Sequence, residues 1–240
     1  MGLKKRVTIS WSGGKDSAFA LYKIMLSGEY EVVSLHTLIN AGTRRVGLHG
    51  VHEKILELQA AAIGVPLEKL YLDTSDNHQS FEAVSRHFYT RCVREKIDAV
   101  VFGDIFLEDL RQYRETLLAN SGLEAIFPLW QIDTRVLIDD FINSGFRTWL
   151  CSADARYFTA ADMGRSLDLD FIDALPAAVD PCGERGEFHT LVVEGPYFKK
   201  KLSLRRGEVI QQGYDFQKKN DDGSLTPARA EFWFQEFLTE

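Results

Sequence analysis

The chain has 240 residues, 45% of them hydrophobic and 26% charged, an ordinary globular composition with material for one large or two modest domains. A formal charge of −7 and a pI near 5.5 give no bulk attraction for nucleic acid, which is not expected as a partner. No apolar run reaches the roughly 18 residues of a membrane span; the basic start Lys4-Lys5-Arg6 leads into no signal-peptide core; and the scattered cysteines Cys92, Cys151 and Cys182, with no CxxC, argue for the cytoplasm over a zinc ribbon or redox pair.

In chain order, Val7 to Ser10 reads as a short buried strand, followed by a Gly13-Gly14 turn and the polar start of a helix. Ala18, Leu21, Tyr22 and Met25 form one apolar helical face, closed by Gly28. Glu31 to Ile39 reads as a second strand. Ile55, Leu58 and Ala62 mark a helix stopped by Gly64 and Pro66, and Lys69 to Asp73 a short strand. Phe81, Val84, Phe88 and Cys92 set a longer helix. Ala99 to Phe102 is an apolar strand ending at Gly103-Asp104, and Leu107, Leu110, Tyr113 and Leu117 face inward on the helix after it. This alternation predicts an α/β fold with a parallel sheet covered by helices on both faces.

From about residue 126 the rhythm changes, and we expect a boundary there: an N-terminal domain over 1–125 and a smaller C-terminal α/β domain over 126–240. Phe127 to Trp130 reads as a connector. A helix carries Val136, Leu137 and Phe141, a strand spans Arg147 to Ser152, and a helical stretch runs from about Thr159 to Leu175. Leu191 to Val193 is a strand, Asn220 to Ser224 a solvated loop, and the aromatic tail Phe232 to Leu238 a docked helix or strand, or else the contact of a homodimer.

The segment Ser12-Gly13-Gly14-Lys15-Asp16-Ser17 has the layout of a phosphate-binding loop. Adjacent glycines let backbone N–H groups approach an anion, and the following helix points its positive end at the same place. Lys15 adds a mobile charge, and Ser12 and Ser17 add hydroxyls. Asp16 suits a helix cap or a bound cation. The spacing excludes the Walker A pattern. Ligands of parallel α/β sheets sit beyond the carboxyl ends of the strands, where Ser10, Asn40, Gly103 and Asp104 also fall, with His36 on the second strand.

A second dense segment is Asp180 to Thr190, where Glu184 and Glu187 lie between glycines and His189 follows. These carboxylates could hold a cation, bind an amine or do acid–base work, and His189 could move a proton near neutral pH. A plain glycine-rich turn with solvated acids is the alternative on spacing alone. His49 and His52, just before a helix, are either nucleotide or acceptor contacts or surface or capping histidines. Arg111 and Glu115 fit a solvated i, i+4 pair.

The first segment resembles the PP-loop of enzymes that split ATP between its α and β phosphates. Together with Cys182-Gly183-Glu184-Arg185-Gly186-Glu187-Phe188, Gly195-Pro196-Tyr197-Phe198-Lys199-Lys200-Lys201, Pro128-Leu129-Trp130 and Gly164-Arg165-Ser166-Leu167-Asp168, it resembles the diphthine–ammonia ligase family, over about residues 6–202. The resemblance implies a Rossmann-like, HUP-type sheet, and ATP and Mg²⁺ as cofactors. It also implies ammonia as a substrate, and a carboxylate acceptor such as diphthine on elongation factor 2. The nucleotide set it implies is Ser10, Ser12, Gly13, Gly14, Lys15, Asp16, Ser17, His36, Asn40, Gly103 and Asp104, with Asp16 as the Mg²⁺ contact. The catalytic set is Lys15, Asp16, Glu184, Glu187 and His189. Relatives best linked to diphthamide read GEGGEYET in the acidic segment. Here Arg185 replaces a glycine, Phe188 a tyrosine and His189 a glutamate, so the acceptor is the less certain inheritance. The competing readings are a PP-loop enzyme with another acceptor, tRNA included, and a non-catalytic nucleotide binder.

Overall fold

The computed structural model describes residues 3–73, 78–219 and 225–239. Strand β1 (Lys5–Ser10) leads into helix α1 (Lys15–Ser27), which stops where Gly28 takes the left-handed conformation at φ 69°. There follow β2 (Tyr30–Asn40), α2 (Glu53–Ile63), β3 (Leu67–Leu72), α3 (His78–Arg94), β4 (Ala99–Val101), α4 (Glu108–Leu118) and β5 (Glu124–Ile126). The five strands are all parallel, in the order β3-β2-β1-β4-β5. The chain steps outward from β1 to β3, then crosses back to β4 on the other side of β1. That reversal opens a crevice at the carboxyl ends of β1 and β4, where such sheets bind ligands.

The second half begins with α5 (Thr134–Asn143), capped by the Asp133 carboxylate, which accepts from the N–H groups of Arg135 and Val136. After β6 (Arg147–Asp154) come α6 (Leu169–Asp173), β7 (Phe188–Glu194), β8 (Leu204–Lys219) and β9 (Leu225–Thr239). These strands form an antiparallel sheet in the order β7-β6-β9-β8. One apolar core runs through both halves, from Ile9 and Phe19 to Leu150 and Leu191. Phe141 of α5 meets Phe19 of α1 edge-to-face at 5.6 Å, each ring burial contributing about 2 kcal/mol.

Several elements differ from the sequence reading. The helix expected over 159–175 is a single 3₁₀ turn at Ala160–Asp162 followed by the short α6. Between them the backbone is extended: Gly164 N–H donates to the Leu150 carbonyl, Leu150 N–H to the Arg165 carbonyl and Leu167 N–H to the Thr148 carbonyl. Pairing with β6 outcompetes the helix there. Met25 and Leu58, expected inward, are exposed, while Ile24, Leu56 and Gln59 are buried. The aromatic tail is β9, with Phe232, Phe234 and Phe237 buried within the chain. The loop expected at Asn220 to Ser224 lies outside the described residues. Lys199 to Lys201 are exposed in a bend after β7. No helix among the described residues is long and apolar enough to cross a membrane.

Candidate active site

A cleft of about 580 Å³ opens where β1 and β4 end and β7 closes over them. Its floor is the loop between β1 and α1. Gly13 sits at φ 81°, a conformation natural only to glycine, and a Cβ there would press within 2.7 Å of Gln59 Oε1. Ser17 Oγ donates to the Gly14 carbonyl, and Ser12 Oγ accepts from Gly14 N–H. Gly14 is the N-cap of helix α1 and makes no side-chain cap bond. Asp16, expected as cap or cation contact, is not the cap: its carboxylate pairs with Lys15 Nζ at 2.9 Å.

The second sheet holds this loop in place. Lys15 N–H donates to Thr190 Oγ1, and Val192 N–H donates to the Gly13 carbonyl. Gln59, wholly buried, donates to the carbonyls of Gly13 and Val192 and accepts from the Trp11 indole N–H. Tyr197 hydroxyl donates to the Ala18 carbonyl in the first turns of α1. Gln59 and Trp11 were not picked out from the sequence. The available signal was a polar residue on the buried face of α2, four positions after Ile55.

Among the expected site residues, Ser10, Ser12, Lys15, Asp16 and Ser17 line the cleft from the β1–α1 side, and His36 from β2. Gly103 and Asp104 line it after β4, and Glu184 and His189 from the second half. Four do not line it: Gly13 and Gly14, which shape the loop, and Asn40 and Glu187, which lie away from it. Asn40 lies on a separate groove, its carboxamide accepting from Thr43 N–H. Glu187 is buried behind the cleft, accepting the Asp180 N–H and so shaping the 180–187 turn. Gly103 lines the cleft, and a Cβ there would lie 2.8 Å from the Asp16 backbone. Its role is to let β4 pass close under the start of α1. Asp104 is tied to Arg114 at 2.7 Å. Arg111 and Glu115 form the anticipated pair at 2.9 Å, and Arg111 also stacks on Trp130.

The charges are unusual for so small a space. Burial pulls the Lys15 ammonium down, but Asp16 together with Cys182 and Glu184 more than offsets it, and the net shift is upward. Burial pushes Asp16 up, opposed by Lys15. Glu184 accepts from the N–H groups of Ile105 and Phe106, yet burial, with the Asp16 charge second, lifts its carboxyl to about 7. His49 and His189 face each other with ring centroids 4.7 Å apart. His49 Nδ1 lies 3.2 Å from the Thr190 carbonyl, which can only accept, so the proton is on Nδ1 and Nε2 keeps its lone pair. Burial lowers His49 to about 4 and His189 well below the ordinary range, and His189 Nε2 is buried without a partner. His36, bonded to Thr8 Oγ1, is lowered by burial to about 3. The cleft thus holds the Lys15 and Arg114 cations, the Asp16 and Asp104 carboxyls, the Glu184 carboxyl poised near neutrality and three neutral imidazoles, those of His36, His49 and His189.

A glycine turn carrying a central parallel strand into a helix, with a buried lysine at the helix's first position, makes this a PP-loop nucleotide-binding protein by class. The sequence comparisons narrow the class to one lineage. The chain belongs to the diphthamide synthase family: the profile of that family's N-terminal domain matches residues 5–125, and that of its C-terminal domain residues 133–220. It is 30% identical over 220 residues to the diphthine–ammonia ligase of Schizosaccharomyces pombe, covering 83% of this chain but 36% of that protein. It is 25% identical over 226 residues to the diphthine–ammonia ligase of Danio rerio, covering 83% and 86%. To that of Homo sapiens it is 24% identical over 239 residues, covering 88% and 86%. A solved tRNA thiolase from Methanococcus maripaludis aligns over 59% of this chain at a TM-score of 0.38 and 18% identity, too slight a likeness to bear on function.

Proposed function

We propose that the chain is an ATP-dependent carboxylate–ammonia ligase that forms AMP. The observation that carries this is the meeting, in one cleft, of Lys15 at the positive end of α1 and His49 from the segment before α2 with Glu184 and His189 from the second half. ATP lies with its phosphates over Ser12 to Ser17. An acceptor carboxylate oxygen attacks the α-phosphorus, the bond to the bridging oxygen breaks, and pyrophosphate leaves. Lys15 and the helix end stabilise the charge that develops.

The acyl adenylate is then open to ammonia. Neutral imidazole lone pairs on His49 and His189 accept N–H bonds from ammonia and aim its own lone pair at the acyl carbon. The tetrahedral adduct gives a proton to Glu184 and expels AMP, leaving the amide. A carboxylate with a pKa near 7 is well matched to that transfer. Among the described residues no cluster of three carboxylate, histidine or cysteine ligands exists. Mg²⁺ needs only one or two carboxylates when phosphates supply the rest, so Asp16 fits it. Bound there, it would neutralise phosphate charge. The names of the relatives point to diphthine as acceptor.

The test is product analysis with ATP, Mg²⁺, ammonium and candidate carboxylates. AMP and pyrophosphate that depend on both the acceptor and ammonium are expected. ADP and phosphate would overturn the reading.

A further inference from the structure

His49 enters the cleft at the tip of a loop rather than from a strand or helix, so its place depends on what holds that loop. Between β2 and α2 the chain doubles back on itself: Asn40 N–H donates to the Arg45 carbonyl, Val46 N–H to the Val51 carbonyl and Glu53 N–H to the Arg44 carbonyl. The tip is Gly47 to Gly50, where Gly50 N–H donates to the Val46 carbonyl. The His49 ring lies against the phosphate-binding loop, since a Cβ on Gly14 would fall 2.7 Å from its Cε1. Its other neighbours are the Thr190 carbonyl and the His189 ring.

The second sheet anchors this tip through three of its strands. Ser152 of β6 donates its hydroxyl to the Leu48 carbonyl. The Thr190 carbonyl of β7 accepts from His49 Nδ1–H. The Phe234 ring of β9 fills the space beside Gly50, where a Cβ would fall 2.5 Å from its Cδ1. Glu236 of β9 acts through Arg45, whose Nη2 pairs with its carboxylate at 2.6 Å while Nη1 donates to the Gly50 carbonyl at 2.7 Å. One guanidinium thus joins β9 to the residue that follows His49.

Magnitudes separate stability from position here. The Arg45 and Glu236 side chains are 34% and 28% exposed, and ion pairs that reach solvent add little to stability. Position counts for more, since a misplacement of about 1 Å at a reacting group costs on the order of 10²-fold in rate. Neither Arg45 nor Glu236 lines the ATP cleft, so any effect they have on the chemistry passes through the tip.

We propose that Arg45 and Glu236 are positioning residues for ammonia capture: they hold the Gly47 to Gly50 tip so that the His49 ring stays seated against Gly14 and facing His189. This rests on the ammonia role given to His49 above and adds the residues that set it.

The test compares the wild-type full chain with Arg45→Met, Arg45→Lys and Glu236→Gln, given ATP, Mg²⁺, ammonium and a diphthine-bearing protein. ATP–pyrophosphate exchange without ammonium reads adenylation alone, the dependence on ammonium concentration reads amidation, and two-dimensional NMR reads the His49 ring. With Arg45→Met, kcat/KM for ammonium should fall about ten-fold or more, the exchange rate should stay within about two-fold of wild type, and the His49 ring signal should shift. Arg45→Lys, whose ammonium can bridge both oxygens, should recover much of the lost kcat/KM, and Glu236→Gln should fall between. Unchanged ammonium kinetics in Arg45→Met would overturn the positioning role while leaving the ligase. Equal losses in exchange and amidation would make Arg45 a residue of general structure and overturn it too. A wild type that forms no AMP from these reactants would overturn the ligase reading and this inference with it.

Discussion

The backbone N–H of Lys15 donates to the hydroxyl of Thr190 at 3.0 Å, across 175 residues of sequence. The first amide of the nucleotide-binding helix is therefore satisfied by the second sheet. The bond ties the position of Lys15 to the presence of β7, so loop geometry and closure of the cleft are set together. Thr190→Val keeps the shape and removes the acceptor, leaving a buried N–H without a partner. The expected cost is about 1–3 kcal/mol in urea unfolding, with weaker ATP binding, while Thr190→Ser stays near wild type. Equal unfolding midpoints for wild type and the valine variant would show that the bond holds nothing.

Gly103→Ala is expected to act on the loop. Its Cβ would lie 2.8 Å from the Asp16 backbone carbon and oxygen, and neither is the end of a flexible side chain. Helix α1 must shift, at about 1–3 kcal/mol as for other overpacked sites. ATP affinity should fall along with thermal stability. If affinity held while stability fell, the start of α1 would not be what positions the phosphates.

How much of this was legible beforehand follows from which forces act locally. The β1–α1 loop was legible because a Gly-Gly turn between a strand and a helix is encoded within six residues. The parallel sheet followed from alternation, but β5 did not: Glu124–Ile126 is a three-residue edge strand with no pattern of its own. In the β8–β9 hairpin the tail reads as a helix or strand, while β8 was missed because its solvent-facing residues break up the apolar signal. Glu184 and Glu187 look equivalent in sequence, yet one faces the cleft and the other caps the 180–187 turn. Only the path of that turn separates them. Asn40 ends its strand as expected but closes a local turn on Thr43, away from the cleft.

Gln59→Leu should be among the most damaging single changes away from the chemistry. It strands the Trp11 indole N–H and takes a bond each from the Val192 carbonyl and from the Gly13 carbonyl, which still accepts from Val192 N–H, all around a wholly buried side chain. An unsatisfied buried N–H costs about 1–3 kcal/mol and each lost bond about 1 kcal/mol more, so a loss of about 3 kcal/mol or more is expected in chemical denaturation. A shift under a third of that would mean the loop repacks freely.

The imidazole pair predicts a definite acid sensitivity. Burial lowers His49 to about 4, and His189 lies lower than its ordinary value as well, whereas both titrate near 6.5 when unfolded. The unfolded chain therefore binds more protons below that pH. The stabilising contribution is complete above about 6.5 and is lost as pH falls towards 4. In two-dimensional NMR, the ring signals of His49 and His189 should keep neutral-imidazole shifts from pH 8 down to pH 5.5. A titration of either ring with a midpoint near 6.5 would show that the pair is hydrated and free.

Glu184 works in the opposite sense, which allows the two effects to be separated. Its folded carboxyl is raised to about 7 from an ordinary value of 4.5, mainly by burial. The folded state thus holds the proton more tightly than the unfolded chain. This contribution to stability is fully present below 4.5 and is lost as pH rises through about 7. Glu184→Gln is neutral at every pH and keeps an oxygen to accept from Ile105 N–H. Relative to wild type, its melting temperature should rise between pH 5 and pH 8. If Glu184 also takes the proton from the ammonia adduct, the wild-type amidation rate should climb with a midpoint near 7, and the variant should lose that limb together with most of the rate. A glutamine variant that kept the pH-dependent limb would assign the proton transfer to another group, with the imidazoles the next to test.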